Sequence, residues 1–134
     1  MARLSLVTLL VDDYDRAVAF YAAMPGFRVR EDTALDERDA RGRQKRWLVI
    51  GPDEGTALLI ARADTLEQEA RIGDPAGGRV SHFLETEDFE RDAATLREAG
   101  ATFEEEPRRQ RYGTVAVFRD PFGYRWDLIE RVGS

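Results

Sequence analysis

The chain carries a second copy of one of its own segments. Displaced by 75 positions, VDDYDRAVAFYAAMPG (Val11–Gly26) falls on TEDFERDAATLREAGA (Thr86–Ala101), so that Asp13 meets Asp88, Tyr14 meets Phe89, Arg16 meets Arg91 and Tyr21 meets Leu96. Each copy follows an apolar stretch, LVTLLV (Leu6–Val11) or SHFLET (Ser81–Thr86), and begins with an aspartate where a helix N-cap is wanted. A short carboxylate there accepts hydrogen bonds from the free N–H groups of the first turn and suits the positive end of the helix. Tyr14, Ala17, Val18 and Tyr21 recur at i, i+3, i+4 and i+7, and Phe89, Ala93 and Leu96 at i, i+4 and i+7, so each helix offers one apolar stripe to a sheet. Gly26 and Gly100 close the segments, since glycine accepts the left-handed conformation that ends a helix. Two amphipathic helices can resemble each other by chance. Chance does not also reproduce the strand before, the cap and the stop.

The remaining segments fit a duplicated plan. Leu4–Val11 reads as a strand, followed by a helix to about Met24, and FRVRE (Phe27–Glu31) alternates as a second strand. Thr33–Lys45 is highly charged without apolar period and reads as a long loop or mobile rim. RWLVI (Arg46–Ile50) resumes as a strand, Gly51–Gly55 holds the turn formers of a hairpin, and TALLIA (Thr56–Ala61) is its partner. Asp64–Ile72 has a weak helical signal with Asp64 as a possible cap, and Gly73–Gly78 reads as a linker. Beyond it, Val80–Thr86, the second helix, Thr102–Glu106, TVAVFR (Thr114–Arg119) and RWDLIER (Arg125–Arg131) repeat the order strand, helix, strand, strand, strand. Asp120–Gly123 fits a type I turn with proline second and glycine fourth. The expectation is an α+β fold in a single domain, 1–134, with one βαβββ module at 4–63, a linker at 64–78 and the second module at 79–132.

Composition narrows the function. With 134 residues and 43% hydrophobic content, the chain can bury one good core or two small cores sharing a seam. The net charge is −6, and the only basic cluster, Arg108, Arg109 and Arg111, follows directly on Glu104-Glu105-Glu106. Nucleic acid is excluded as a partner, because the phosphate backbone calls for a clustered basic face, and the arginines read as a solvated strand end. The absence of cysteine removes disulfides, thiolate-bound metals and thiol nucleophiles. No signal peptide or bilayer-length apolar run is present, so the chain is read as cytoplasmic, with no membrane partner.

The doubled βαβββ order, VDDYDRAVAFY near the start and above all DPFGYRWDLIE near the end resemble the vicinal oxygen chelate superfamily, which contains glyoxalase I, the bleomycin-resistance proteins and extradiol dioxygenases. The resemblance implies two modules whose sheets curve into a cup or barrel, a homodimer, and a small-molecule cavity on the concave side. Metal-dependent members place ligands on the first and last strand of each module. Carried over, these positions are Leu6, about Leu58, Ser81 and Asp127. Leucine has no lone pair, a neutral serine is a poor ligand, and a catalytic site usually needs three protein ligands. The expectation is therefore no metal and no cofactor. The lone histidine, His82, stands one place from a ligand position. Alternation sends it to the helix side, unless a bulge turns it toward Asp127.

Strand parity nominates a ligand face. Leu6, Thr8 and Leu10 point away from the first helix, leaving Val7, Leu9 and Val11 beneath it; Ser81, Phe83 and Glu85 point away from the second, as do Arg125, Asp127 and Ile129 at the end of the chain. Glu85 on such a face needs a cation, a raised pKa or open water. Arg125 is the expected partner of Asp127, either as a structural ion pair or as a ligand contact. Trp126 falls on the core side, whereas Trp47, after the charged segment, and Tyr112, at the entry to a strand, are candidates for ligand contact against a default of packing. The ligand-binding set is thus Thr8, Trp47, Ser81, Phe83, Glu85, Tyr112, Arg125 and Asp127. The foremost reading is metal-independent binding of a small cationic or aromatic molecule, similar to the bleomycin-resistance branch. The alternative is a lyase or dioxygenase with an unconventional site in which Glu85 or Asp127 acts as general base; a noncatalytic interaction module is the third.

Overall fold

A computed structural model describes residues 1–133 and resolves two units, Met1–Ile72 and the chain from Gly73 onward. The first contains β1 (Leu6–Val11), α1 (Tyr14–Tyr21), β2 (Arg28–Arg38), β3 (Gln44–Gly51), β4 (Ala57–Arg62) and α2 (Leu66–Arg71). Its sheet runs β1-β4-β3-β2, with β1 parallel to β4 and the other pairs antiparallel. The second contains β5 (His82–Glu85), α3 (Phe89–Ala99), β6 (Thr102–Phe103), β7 (Arg108–Gln110), β8 (Gly113–Arg119) and β9 (Arg125–Arg131). Its order is β5-β9-β8-β6, with β5 parallel to β9 and β7 also pairing with β8. In each unit the first strand therefore lies parallel beside the last. The fold is α+β, with two sheets of four and five strands and three helices among the described residues.

The duplication extends to atomic detail at the helix starts. Asp13 accepts from the Arg16 N–H at 2.9 Å and Asp88 from the Arg91 N–H at 3.1 Å, the same bond in each copy. In α1 the stripe of Tyr14, Ala17, Phe20 and Tyr21 is buried toward β3 and β4, where Leu48, Ile50 and Ile60 are also buried. In α3 the corresponding stripe is Phe89, Ala93 and Leu96. Each buried large apolar side chain contributes about 1.5–3 kcal/mol, so these stripes, more than helix propensity, hold the short helices in place.

Three local readings need correction. Thr33–Lys45 is not a loop: β2 continues to Arg38, and β3 begins at Gln44. An edge strand whose residues mostly face water has no need of apolar alternation, so its sequence carries no period. The hairpin tip is organised instead by Asp39, whose buried carboxylate accepts from the N–H groups of Arg41 and Arg43 at 2.9 and 3.0 Å and from Arg43 Nε at 3.1 Å. Second, α2 is capped by Thr65, which accepts from the Gln68 N–H at 3.1 Å, and not by Asp64. Asp64 accepts from the Ala40 N–H at 2.8 Å and so ties the hairpin tip to the start of α2, as does the Arg41–Glu69 ion pair. Third, the strand expected at Thr102–Glu106 stops at Phe103, and β7 is an additional strand. Across this break the Glu105 carboxylate accepts from the Val117 N–H at 2.9 Å, in place of a strand neighbour.

The Asp-Pro-Phe-Gly turn before β9 is a structural device. Asp120 is buried and accepts from the N–H groups of Phe122 and Tyr124 at 2.9 and 3.1 Å and from Trp126 Nε1 at 3.0 Å. Gly113, at φ +149°, opens β8 where a Cβ would lie 2.0 Å from the Glu130 carbonyl oxygen, so only glycine fits.

Candidate functional site

Ring contacts identify the two faces of each sheet. In the first unit the guanidinium groups of Arg46 and Arg62 lie 5.1 and 4.7 Å from the Tyr14 ring of α1, so they mark the helix side. Alternation then places Leu6, Thr8 and Leu10 of β1, Ala57, Leu59 and Ala61 of β4, and Trp47 and Val49 of β3 on the opposite, open side, where Thr8 is exposed and Val49 and Ala57 are buried. In the second unit Arg97 of α3 lies 4.4 Å from Phe103, which continues to Phe118, Trp126 and His82 at successive centroid distances of 5.4, 5.9 and 4.6 Å. These rings form the helix side. Phe83, Glu85, Arg125, Asp127 and Ile129 are on the other.

Each open face carries an aromatic ring beside an acid. In the first unit Trp47, 37% exposed, donates its Nε1–H to Glu31 Oε2 at 3.1 Å, and Thr8 is exposed on the same face. In the second, Phe83 is 63% exposed and is the direct cross-strand neighbour of Asp127. Tyr112 is exposed in the turn between β7 and β8.

The charges on the second face are sorted in an unexpected way. Arg125 is not the partner of Asp127: its Nη2 is 2.8 Å from Glu104 Oε1, and Glu104 also pairs with Arg119 at 2.8 Å. Arg108 pairs with Glu105 at 2.7 Å, and Glu85 with Arg131 at 2.8 Å. The expected pair fails because Glu104 and Glu105, at the break after β6, reach both arginines first. Asp127 is left with a buried Oδ1 that has no hydrogen-bond partner. Burial pushes its carboxyl pKa above the ordinary value; Arg108 and Arg125 oppose the shift and Glu105 reinforces it. The arginines hold the Glu104 and Glu105 carboxyls below theirs.

Ser81 and His82 form a local pair. His82 Nδ1 is 2.7 Å from Ser81 Oγ, which lies 3.3 Å from the Arg125 carbonyl oxygen. Both contacts are satisfied when Nδ1 carries the proton and the hydroxyl donates onward to the carbonyl. The imidazole stacks on Trp126 and meets Tyr124 edge-on at 5.8 Å, and its burial lowers its pKa.

The residues present do not suit the metal implied by the resemblance. Leu6 and Asp127 are on open faces, but Leu58 is on the helix side of β4, where it pairs with Val7; the open positions of that strand are alanine and leucine. Among the described residues no group of three or more His, Asp or Glu side chains converges as a metal site would require. A groove of about 660 Å³ beside β6, lined by Arg97, Phe103 and Glu104–Glu106 among others, does not include Asp127. Two of its three glutamates are already paired with arginines. Glu31, Glu104, Glu105 and Arg108 are the residues of these faces that parity alone does not nominate.

Comparison with known proteins identifies the family and the fold. The sequence profile of the Glyoxalase/Bleomycin resistance protein/Dioxygenase superfamily matches residues 3–128. A protein of Shewanella frigidimarina, described as uncharacterized, is 45% identical over 92% of this chain and 90% of its own. The crystal structure of UcmS2 superposes with a TM-score of 0.76 at 34% identity, covering 96% of this chain and 98% of the other. That of TnmS3, an antibiotic binding protein from Streptomyces sp. CB03234, superposes with a TM-score of 0.69 at 26% identity, covering 98% and 97%.

Proposed function

The chain belongs to the glyoxalase/bleomycin resistance protein/dioxygenase superfamily, and from that premise we propose that it binds a small organic ligand on its open sheet faces without a tightly held metal ion. The observation that carries this reading is the orphaned Oδ1 of Asp127. Nearby Glu85, Glu104 and Glu105 each have an arginine, whereas Asp127 has a buried acceptor and an exposed aromatic neighbour, Phe83. A buried acceptor without a donor costs about 1–3 kcal/mol, which a ligand N–H, O–H or cationic group that displaces the atoms covering Oδ1 would recover on binding. Trp47 offers an aromatic platform of the same kind on the first unit. The antibiotic-binding relative supports small-molecule binding as the activity.

Calorimetric titration with the planar cation proflavine tests the proposal. We expect saturable binding by metal-free protein, and Asp127→Ala and Phe83→Ala to weaken it by about 5- to 100-fold each. Unchanged affinity in both variants, or stoichiometric metal in purified protein, overturns the site assignment. Turnover of a hemithioacetal or catechol that is abolished by Asp127→Ala would replace binding by catalysis.

A further inference from the structure

We infer that Glu31 is a positioning residue that orients the Trp47 indole and keeps its N–H out of ligand recognition; this rests on the reading of Trp47 as a ligand platform. The basis is a break in strand register. Val29 pairs with Ile50, but the next pair is Glu31 with Val49, so Arg30 is an extra residue in β2. Without it Arg30 would pair with Val49 and Asp32 with Trp47. Those two residues would then occupy the open face, and Glu31 would face α1. The bulge exchanges these sides. Glu31 and Thr33 reach the open face, and Asp32 turns to the helix side, where it accepts from Arg46 Nη2 at 2.7 Å. One inserted residue therefore builds two contacts, and β-bulges commonly re-aim a side chain in this way.

Glu31 lies diagonally across from Trp47, since Thr33 is the direct neighbour of that ring, and the Nε1–Oε2 distance of 3.1 Å is a good hydrogen bond. An indole has a single donor. With that donor given to Glu31, Trp47 can meet a ligand only through its π face, and the indole is held in one orientation. The carboxylate also draws the N–H proton toward itself and leaves the ring more electron-rich, which strengthens attraction to a cation over its face. Recognition at this position is thus by stacking and ring charge, with no hydrogen bond from the indole.

Indole ¹H–¹⁵N spectroscopy separates this role from a general structural one. The chain has two tryptophans, so Trp47→Phe assigns the two resonances. Glu31→Ala is expected to shift and broaden the Trp47 signal, to leave the Trp126 signal and the sheet amides in place, and to weaken proflavine binding roughly threefold to tenfold. Glu31→Gln, which keeps an acceptor without the charge, should restore the Trp47 signal and part of the affinity. A Trp47 indole signal that coincides with wild type in Glu31→Ala overturns the inference, as does a displaced signal with unchanged proflavine affinity. Failure of the underlying reading shows separately, as a Trp47→Ala variant that binds proflavine as tightly as wild type.

Discussion

At the scale of single residues, the second open face holds acids that titrate in opposite directions. The Glu104 carboxyl is held below its ordinary pKa, first by its hydrogen bond from Arg125, and the Asp127 carboxyl is pushed above its own, first by burial. The linkage signs follow. Glu104 contributes stability that is present above its unfolded pKa and is lost as the pH falls through the folded value; Asp127 costs stability once the pH rises from its unfolded value through its raised folded one. Glu104→Gln should therefore destabilise by about 1 kcal/mol at neutral pH, the upper end for a partly exposed ion pair shared between two arginines, with the gap closing below about pH 4. Asp127→Asn should behave conversely: more stable than wild type at neutral pH, and converging with it in acid. Urea melts of the three proteins at pH 3.5, 5 and 7 check both, and parallel pH profiles for the two variants would contradict the assignment. Parity placed Asp127 on its face from sequence alone. It could not supply the partner, because Glu104 and Glu105 reach the arginines from a strand that ends three residues earlier than its sequence suggests.

At the scale of elements, legibility followed apolar periodicity. β1, α1 and β9 bury mainly one set of alternating or helical positions, β8 is an apolar run buried on both faces from Val115 to Phe118, and each is readable. β2 buries almost none, and its order comes from polar groups that have no period. Asp39 alone satisfies two backbone donors and one guanidinium at the hairpin tip, from a side chain that is only 3% exposed. Removing it leaves those donors to water or to nothing, so Asp39→Ala should cost about 1–3 kcal/mol. Hydrogen exchange gives the specific signature: faster exchange at Ala40, Arg41 and Arg43, with β8 and β9 unchanged. Uniform acceleration across the chain would mean that the tip has no independent role. The bulge at Arg30 escapes sequence reading for a related reason, because FRVRE alternates acceptably in either register and only the partner strand reveals the extra residue.

At the scale of the whole molecule, the internal repeat carries one architecture twice. Both units keep strand order, parallel first-to-last pairing and a capping aspartate, and the Asp-Pro-Phe-Gly turn that most resembles the family holds β9 through Asp120. These features are retained by packing and backbone hydrogen bonds, so they say nothing about catalysis. The donor positions are free of that constraint, and in this chain they are leucine, serine and a single aspartate. The prediction is thermodynamic. A metal bound with a dissociation constant of about 1 µM and supplied at 100 µM would stabilise the native state by about 2.7 kcal/mol. For a chain of this length such a gain raises the melting temperature by several degrees or more. Zinc, nickel, manganese and ferrous iron, added singly at that concentration to protein stripped with a chelator, should each leave the melting temperature within about 1 °C, and proflavine affinity should be the same with and without the chelator. A rise of several degrees with any one ion, accompanied by loss of that rise in Asp127→Ala, would mean that backbone rearrangement recruits donors the strand faces do not present.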